Sequence, residues 1–567
     1  MFFIDISTIL RYNKVTKSKE KAKMSDIKYT IGLDFGSLSC RGVLVDVKDG
    51  YIAAEASMAY PHAVMSETLP DGTPLQGDFC LQSPADFRES MISVVRELAA
   101  KCDPSDVIGI AIDTTASTVL PIDKDFIPLC EKERFASRPH AWMKMWKHHG
   151  AAPQAEKILR VCREQKKPYP DWYGGTVSPE CLLSKVVEVF ERDREVYDEA
   201  AAFLEVMDYL TSLLTGTPTF SLPLMKAKAF YDNGYPDKEF LSAIHQDLAG
   251  LPNKLTDGFD EKVIAFPGER AGSLCPEMAE ILGLQAGIAV SVGTADSYSP
   301  ISALGITREG IMIMIIGTSM GMMLMSREGH SVSGVTASLP DIYRKDLWGY
   351  ASGLTSVGDS FGWFAENCVP ARYEKEASER RISIQQLLTE KASLLEPGAG
   401  GVMALDWLKG NKSCLANPYL SGLFIGITIS TRPEQMYRAL IEATAFGARR
   451  VIEEYRASGV PVDEIRACGG IVGKNPLLMQ IYADVIGLPI KASRCAQAPA
   501  LGSAINAASA AGIRNAIDSM SDGNFKIYYP KEDNIARYDA LYAEYLTLHD
   551  YFGRGGNRIM ERLRGKK

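Results

Sequence analysis

The sequence lacks an ordered cysteine pattern: its eleven cysteines run from Cys40 to Cys495 without a C-x-x-C pair or a regular spacing. That excludes a zinc-finger or thioredoxin-type motif and fits buried thiols in a reducing, cytoplasmic setting. No run of about 18 apolar residues occurs, so no membrane span is expected. Positive charge is not in excess either. Lys and Arg number 62 against 70 Asp and Glu, a net charge of -8, which leaves no global basic field for nucleic acid or acidic lipid. There is no G-x-x-x-x-G-K-[ST] loop and no Ser-His-Asp or Cys-His arrangement. His148 and His149 have no flanking ligands; adjacent residues on a helix point apart, so they read as surface or core residues.

What is present is the bulk of a large globular chain. Its 567 residues are 46% hydrophobic and 23% charged, and single cores stop growing near about 250–300 residues, so two domains are expected. Residues 1–26 read as a tail outside the fold, or as a start assigned too early with Met24 the true one: their basic residues follow the short apolar opening, the reverse of a secretory signal.

Two apolar runs flank a Gly/Ser turn in Tyr29-Thr-Ile-Gly-Leu-Asp34-Phe-Gly36-Ser37-Leu-Ser39-Cys-Arg41-Gly-Val-Leu-Val-Asp46, which predicts a β-hairpin. A helix is predicted from Ser83 to Ala100, with Ser83-Pro84 as its start signal, then a strand over Val107–Asp113. The second half repeats the opening. Gly310–Ile316 leads into Gly317-Thr318-Ser319 and Met322-Met323-Leu324; a later strand, Glu464–Cys468, ends in Gly469-Gly470 before a helix over Asn475–Ile486. Matching strand–Gly–hydroxyl elements imply duplication of one α/β unit, with a glycine turn from each half facing one phosphate chain across a cleft. The boundary is expected near Leu284–Gly293, giving domains over 27–290 and 291–515 and a helical extension over 516–567. The aromatic-rich stretch from Lys124 to Leu274 reads as an elaboration that selects substrate.

Glycine turns can cradle phosphate oxygens with their amides, and a carboxylate beside one can hold Mg²⁺. Gly36 and Ser37 with Asp34, and Gly317, Thr318 and Ser319, have that form, although a lone turn of this kind is also an ordinary β-turn. Gly293-Thr-Ala-Asp296-Ser follows the apolar strand Ile288–Val292 and puts Asp296 just past a strand end. Such a carboxylate can orient an acceptor hydroxyl and take its proton late in phosphoryl transfer; the bland alternative is a helix cap. Gly469, Gly470, Lys474 and Asn475 offer close backbone approach and a helix start, suited to adenosine. Ala500-Leu501-Gly502 reads as a helix packed under that site.

Assembled in this order, the motifs resemble those of the FGGY carbohydrate kinases over roughly Ile27 to Gly512. Gly422-Leu-Phe-Ile-Gly426 followed by Glu442-Ala-Thr-Ala-Phe-Gly447 resembles the family signature. The resemblance implies a duplicated ribonuclease H-like, actin-like ATPase fold with two domains around a cleft. It also implies ATP and Mg²⁺ as cofactors, Asp296 as catalytic base and Mg²⁺ ligand together with Asp34, and a small-molecule sugar as substrate. It allows a homodimer. Within the family, Pro139-His-Ala-Trp142-Met-Lys-Met-Trp146-Lys-His-His149, Arg270–Leu274, Val402–Trp407 and Pro499–Gly502 resemble the ribulokinase branch, in which residues matching Ala116 and Lys228 approach the ketopentose. One departure stands out: Ala351-Ser-Gly-Leu354 replaces Glu-Ala-Gly-Gln, so a sugar-contacting glutamate becomes Ala351. L-ribulose is the first expectation, in pentose (arabinose) catabolism. Xylulose, D-ribulose, ribitol or glycerol is the alternative, and an actin-like ATPase without a sugar is the reading from another class.

Overall fold

The computed structural model describes residues 27–565, so the reading of 1–26 lies outside the described residues. The chain forms two compact units, one from residues up to 166, 177–303 and 499–521, the other from 167–176, 304–498 and 522 onward. The sequence reading placed the division at 290/291 and residues 499–515 in the second domain. Here the first unit keeps 291–303 because a strand within that stretch pairs with its sheet, and 499–521 because the helix Ala498–Ala510 seats on that sheet.

The first unit is built on strands β1 (Tyr29–Phe35), β2 (Ser39–Asp46), β3 (Ile52–Ala59), β4 (Val107–Thr114), β5 (Arg270–Ser273), β6 (Ala289–Ser291) and β7 (Thr294–Ala295). Their order is β5-β6-β4-β1-β2-β3, with β7 also on β4. β1, β2 and β3 form an antiparallel meander, whereas β1, β4 and β6 run parallel. β1 is buried on both faces, as a central strand covered by helices must be. The helix Pro84–Ala99 turns Phe87, Met91, Val94, Val95 and Leu98 onto the sheet, a 3.6-residue stripe behind a proline start. Gly32 and Gly109 admit the helix Ala498–Ala510. A Cβ on Gly32 would lie 1.9 Å from the Ala500 carbonyl, and one on Gly109 2.8 Å from that of Ala507.

The second unit repeats the pattern with β8 (Gly310–Ile316), β9 (Met320–Ser326), β10 (Ala337–Pro340), β11 (Trp348–Leu354), β12 (Val462–Cys468), β13 (Ile490–Ser493) and β14 (Phe525–Tyr528). The order is β10-β11-β9-β8-β12-β13-β14. Again a three-strand antiparallel meander precedes parallel neighbours, and an antiparallel strand closes the edge. This is the ribonuclease H-like unit of actin-like ATPases, present twice. The segment expected as a purely helical extension includes β14, which satisfies the edge of β13, before the helix Glu532–Gly553. The 25-residue helix Pro433–Ala457 is buried along most of its length, and its Arg438 holds Glu442 at 2.8 Å inside the core.

Beside that helix sits an uncompensated carboxyl. Asp406 is buried at the end of the strand Met403–Leu405, its Oδ1 has no hydrogen-bond partner, and burial raises its pKa to about 7. A folded-state value above the unfolded one stabilises the fold fully below the unfolded pKa, and that contribution is lost as pH rises through about 7. Asp406→Asn should therefore raise the unfolding free energy from urea titration at pH 8 relative to the unsubstituted protein, by up to about 4 kcal/mol. Tryptophan fluorescence should show the difference shrinking at pH 5; an equal gap at both values would contradict the assignment.

Candidate active site

The parallel register of β1 and β4 sets Asp34 opposite Asp113, so both carboxylates leave the same face at the same end of the sheet. β7 joins β4 with Thr294 opposite Asp113, and the Asp296 amide donates to the Thr114 carbonyl at 2.8 Å. Three carboxylates thus come from the C-terminal ends of three parallel strands. Asp34 is buried against Arg41 at 2.6 Å. Burial raises its pKa and Arg41 opposes that rise. Asp113 is fully buried beside the Asp34 charge and is raised well above the carboxylate range, for burial first and Asp34 second. Ser503, on the helix Ala498–Ala510, donates to it at 2.6 Å. Asp296 keeps part of its surface open, yet burial and then the charge of Asp34 raise it to about 7.

Around this trio, the Ala116 methyl packs with Met207, Leu224, Ala295 and Tyr298. Lys228 lies on the helix Leu222–Ala229 behind Leu224. Burial would lower its pKa, but Tyr298, Glu180, Cys181 and Glu205 around it outweigh that effect and raise it. Ser37 is held from two sides: Trp146 Nε1 donates to its hydroxyl at 3.1 Å and Gln82 Nε2 to its carbonyl at 2.9 Å. Residues Ala116, Lys228, Asp34, Asp296, Gly36 and Ser37 therefore share one unit.

The remaining expected nucleotide residues share the other. Gly469 adopts φ +109°, and a Cβ there would fall 2.4 Å from the Ile316 carbonyl, so the turn Gly469–Gly473 lies against the start of Gly317-Thr318-Ser319. Gly317 and Gly470, by contrast, face open space. The Thr318 carbonyl accepts from the amides of Val357 at 2.9 Å and Asp359 at 3.2 Å, which brings the start of the helix Gly358–Asn367 to the turn. Lys409 pairs with Asp359 there. Asn475 Oδ1 caps the helix Pro476–Ile486 by accepting from the Leu478 amide at 3.0 Å, and Lys474 is exposed.

Several expectations change in detail. The amides of Gly36 and Gly317 close their own turns on the carbonyls of Ser39 (3.0 Å) and Ser319 (2.9 Å), so donors for a ligand come from the residues after each glycine. The helix that carries Ala500–Gly502 lies on the first sheet, with Gly502 close to the Ser299 carbonyl. His148 and His149 fall in a turn, not on a helix, and His148 is buried at 2.9 Å from Glu188. Sequence reasoning missed Asp113, Arg41, Ser503 and Asp359. Only the first carried a signal, a lone acid ending the apolar strand Val107-Ile-Gly-Ile-Ala-Ile.

A duplicated ATPase unit with carboxylates at the strand ends and glycine turns in each copy defines a phosphoryl-transfer enzyme. The model for the FGGY family of carbohydrate kinases, N-terminal domain, matches residues 29–305, and that for the C-terminal domain matches 312–511. The chain belongs to the FGGY family of carbohydrate kinases and is a sugar kinase. It is 41% identical to a ribulokinase of Shouchella clausii (strain KSM-K16), over 95% of this chain and 97% of that one. It is 42% identical to a ribulokinase of Bacillus licheniformis, over 94% and 98%. A gluconate kinase structure from Lactobacillus acidophilus superposes with a TM-score of 0.76 at 17% identity, over 94% of this chain and 99% of that one, a likeness of fold alone.

The contrast between neighbouring glycines is testable. Gly469→Ala should destabilise the protein by about 1–3 kcal/mol, because it adds a side chain at positive φ against main chain. Gly470→Ala should melt like the parent yet weaken ATP binding, measured by titration calorimetry, by placing a methyl in the open space. Equal melting temperatures for the two variants would contradict this geometry.

Proposed function

We propose that this kinase transfers the γ-phosphoryl group of ATP to a hydroxyl of a ketopentose, L-ribulose first. The relatives named ribulokinase at 41% and 42% identity over nearly the whole chain support the sugar. The observation that carries the chemistry is Asp296, partly open, main-chain anchored and raised to about 7. A base with that value holds its proton loosely at neutral pH, so it can orient the acceptor hydroxyl and take its proton as the phosphoryl group departs. Ser37, Thr318 and Ser319 supply hydroxyls and amides to phosphate oxygens, with Gly36 and Gly317 closing the turns; Gly469, Gly470, Lys474 and the Asn475 cap form the adenosine side. Lys228 and Ala116 meet the sugar.

Mg²⁺ suits the donor set. Asp34 has both oxygens buried, with Arg41 as its ion-pair partner and Asp113 beside it. No group of three or more His, Cys, Asp or Glu forms a metal cage among the described residues, and Mg²⁺ usually takes only one or two carboxylates beside phosphate and water. Asp34, with Asp296, would hold the ion, which when bound supplies neutralisation of phosphate charge. Eleven cysteines without an ordered spacing agree with a reducing, cytoplasmic location. No described helix is long and apolar enough to cross a membrane.

Ala351, where the related enzymes were expected to carry glutamate, lies inside β11 between Met323 of β9 and Ala337 of β10. Its carbonyl accepts from Thr336 at 2.8 Å, so the strand register is pinned there. Coupled ADP release across L-ribulose, D-ribulose, xylulose, ribitol and glycerol should show the highest kcat/KM for L-ribulose. Asp296→Ala should lose about a thousandfold in kcat. Turnover that survives in Asp296→Ala, or that favours glycerol, overturns the proposal. Ala351→Glu should lower the KM for L-ribulose by roughly tenfold, the worth of a charged hydrogen bond to substrate; an unchanged KM would remove position 351 from the sugar site.

A further inference from the structure

The loop that presents Ala116 holds a backbone conformation its sequence does not favour. Ser117 sits at φ +60°, left-handed and not glycine, with its hydroxyl buried and unpartnered. Such a residue persists only where its surroundings over-determine it. Two buried, opposite charges do so here. Lys185, on the helix Leu182–Arg192, directs its ammonium to three main-chain carbonyls: Ser117 at 2.5 Å, Met145 at 2.8 Å and Lys144 at 3.4 Å. Glu205, ending the strand Ala202–Glu205, accepts from the Thr118 amide at 3.0 Å and from the Ser117 amide. One peptide segment is therefore gripped by a cation at its carbonyl and an anion at its amides.

The segment is also wired to the reacting groups. The Thr115 amide donates to the Phe35 carbonyl at 3.1 Å, one residue beyond Asp34, and the preceding Thr114 carbonyl holds the Asp296 amide. Glu205 further feels Lys228, the residue assigned to the sugar. Lys185 and Glu205 are both buried; the Lys185 ammonium is taken up by main-chain carbonyls and one Glu205 oxygen by the Thr118 amide, while Glu205 Oε1 has no hydrogen-bond partner among the described residues. A pair of charges taken out of water rarely improves stability over apolar packing, so its retention calls for another use.

We infer that Lys185 and Glu205 are positioning residues that set sugar selectivity by fixing the Ala116-Ser117-Thr118 loop against the acceptor, with Asp296 held from the same strand end. The inference rests on the ketopentose kinase reading. The test compares Glu205→Gln and Lys185→Met with the parent enzyme, using full kinetics in each substrate. The sugar KM should rise roughly tenfold or more, and the ratio of kcat/KM between L-ribulose and D-ribulose should fall severalfold, because a misplacement near 1 Å is costly at a reacting centre. The KM for ATP should stay within about twofold, since the groups assigned to adenosine lie in the other unit. A purely structural role would lower kcat or the melting temperature and leave that sugar ratio unmoved, which overturns the inference. Should Lys185→Met fail to fold, Glu205→Gln, nearly equal in volume, decides alone. A parent enzyme that turns over glycerol or ribitol but no ketopentose defeats the ketopentose reading separately; on that substrate, or on xylulose where ribulose is not turned over, the same two variants measured against its epimer or nearest polyol still decide the loop.

Discussion

Parallel pairing of β1 with β4 governs the first unit, because it turns two acids far apart in the chain into neighbours on one sheet face. A shift of that register by one residue would send one of them to the opposite face. Two glycines then admit the next layer. Gly32 and Gly109 leave the sheet thin enough for the alanine-rich helix Ala498–Ala510 to lie against main chain, and only from there does Ser503 reach Asp113. The same strand end then carries Asp296 through the Thr114 carbonyl. Backbone geometry thus sets the spacing of the acids, and their electrostatics follow. Burial raises all three acids: Asp113, fully buried beside Asp34, well above the carboxylate range; Asp34 against the opposing effect of Arg41; and Asp296, partly open, to about 7.

The second unit uses the same topology differently. Its strand ends carry glycine turns where the first carries acids, and its turns are tied by main-chain bonds: Thr318 to Val357 and Asp359, Gly317 to Gly358. Open space over Gly317 and Gly470 is the corresponding feature, the room a nucleotide would need on the proposed reading. Both halves match the family, and on the proposed reading the first copy would serve proton chemistry and the second nucleotide contact. Buried charge is concentrated in the first unit, where Lys144, Lys185, Glu188 and Glu205 are all enclosed. Such groups order loops at a cost in desolvation, consistent with selectivity for a small polar ligand.

Local pattern determined much of this protein without help from the fold. The hairpin of β1 and β2, the helix beginning at Pro84, the strand ending at Asp113 and the repeat at Gly310 were legible because each depends on periodicity and turn chemistry within about twenty residues. Asp34, Asp296 and the glycine turns were legible for the same reason, as acids or glycines at strand ends. Tertiary structure alone decided what crosses long separations. Ser503 meets Asp113 across 390 positions, residues 499–521 return to the first unit, and β14 completes a sheet where only helix was expected. It also decided that the Gly36 and Gly317 amides are spent on their own turns, and that Lys185 and Glu205, unremarkable as letters, close on one strained peptide. A sequence records which groups exist and their local geometry; which buried charge faces which amide is settled only when packing removes water and leaves each polar group to find a partner.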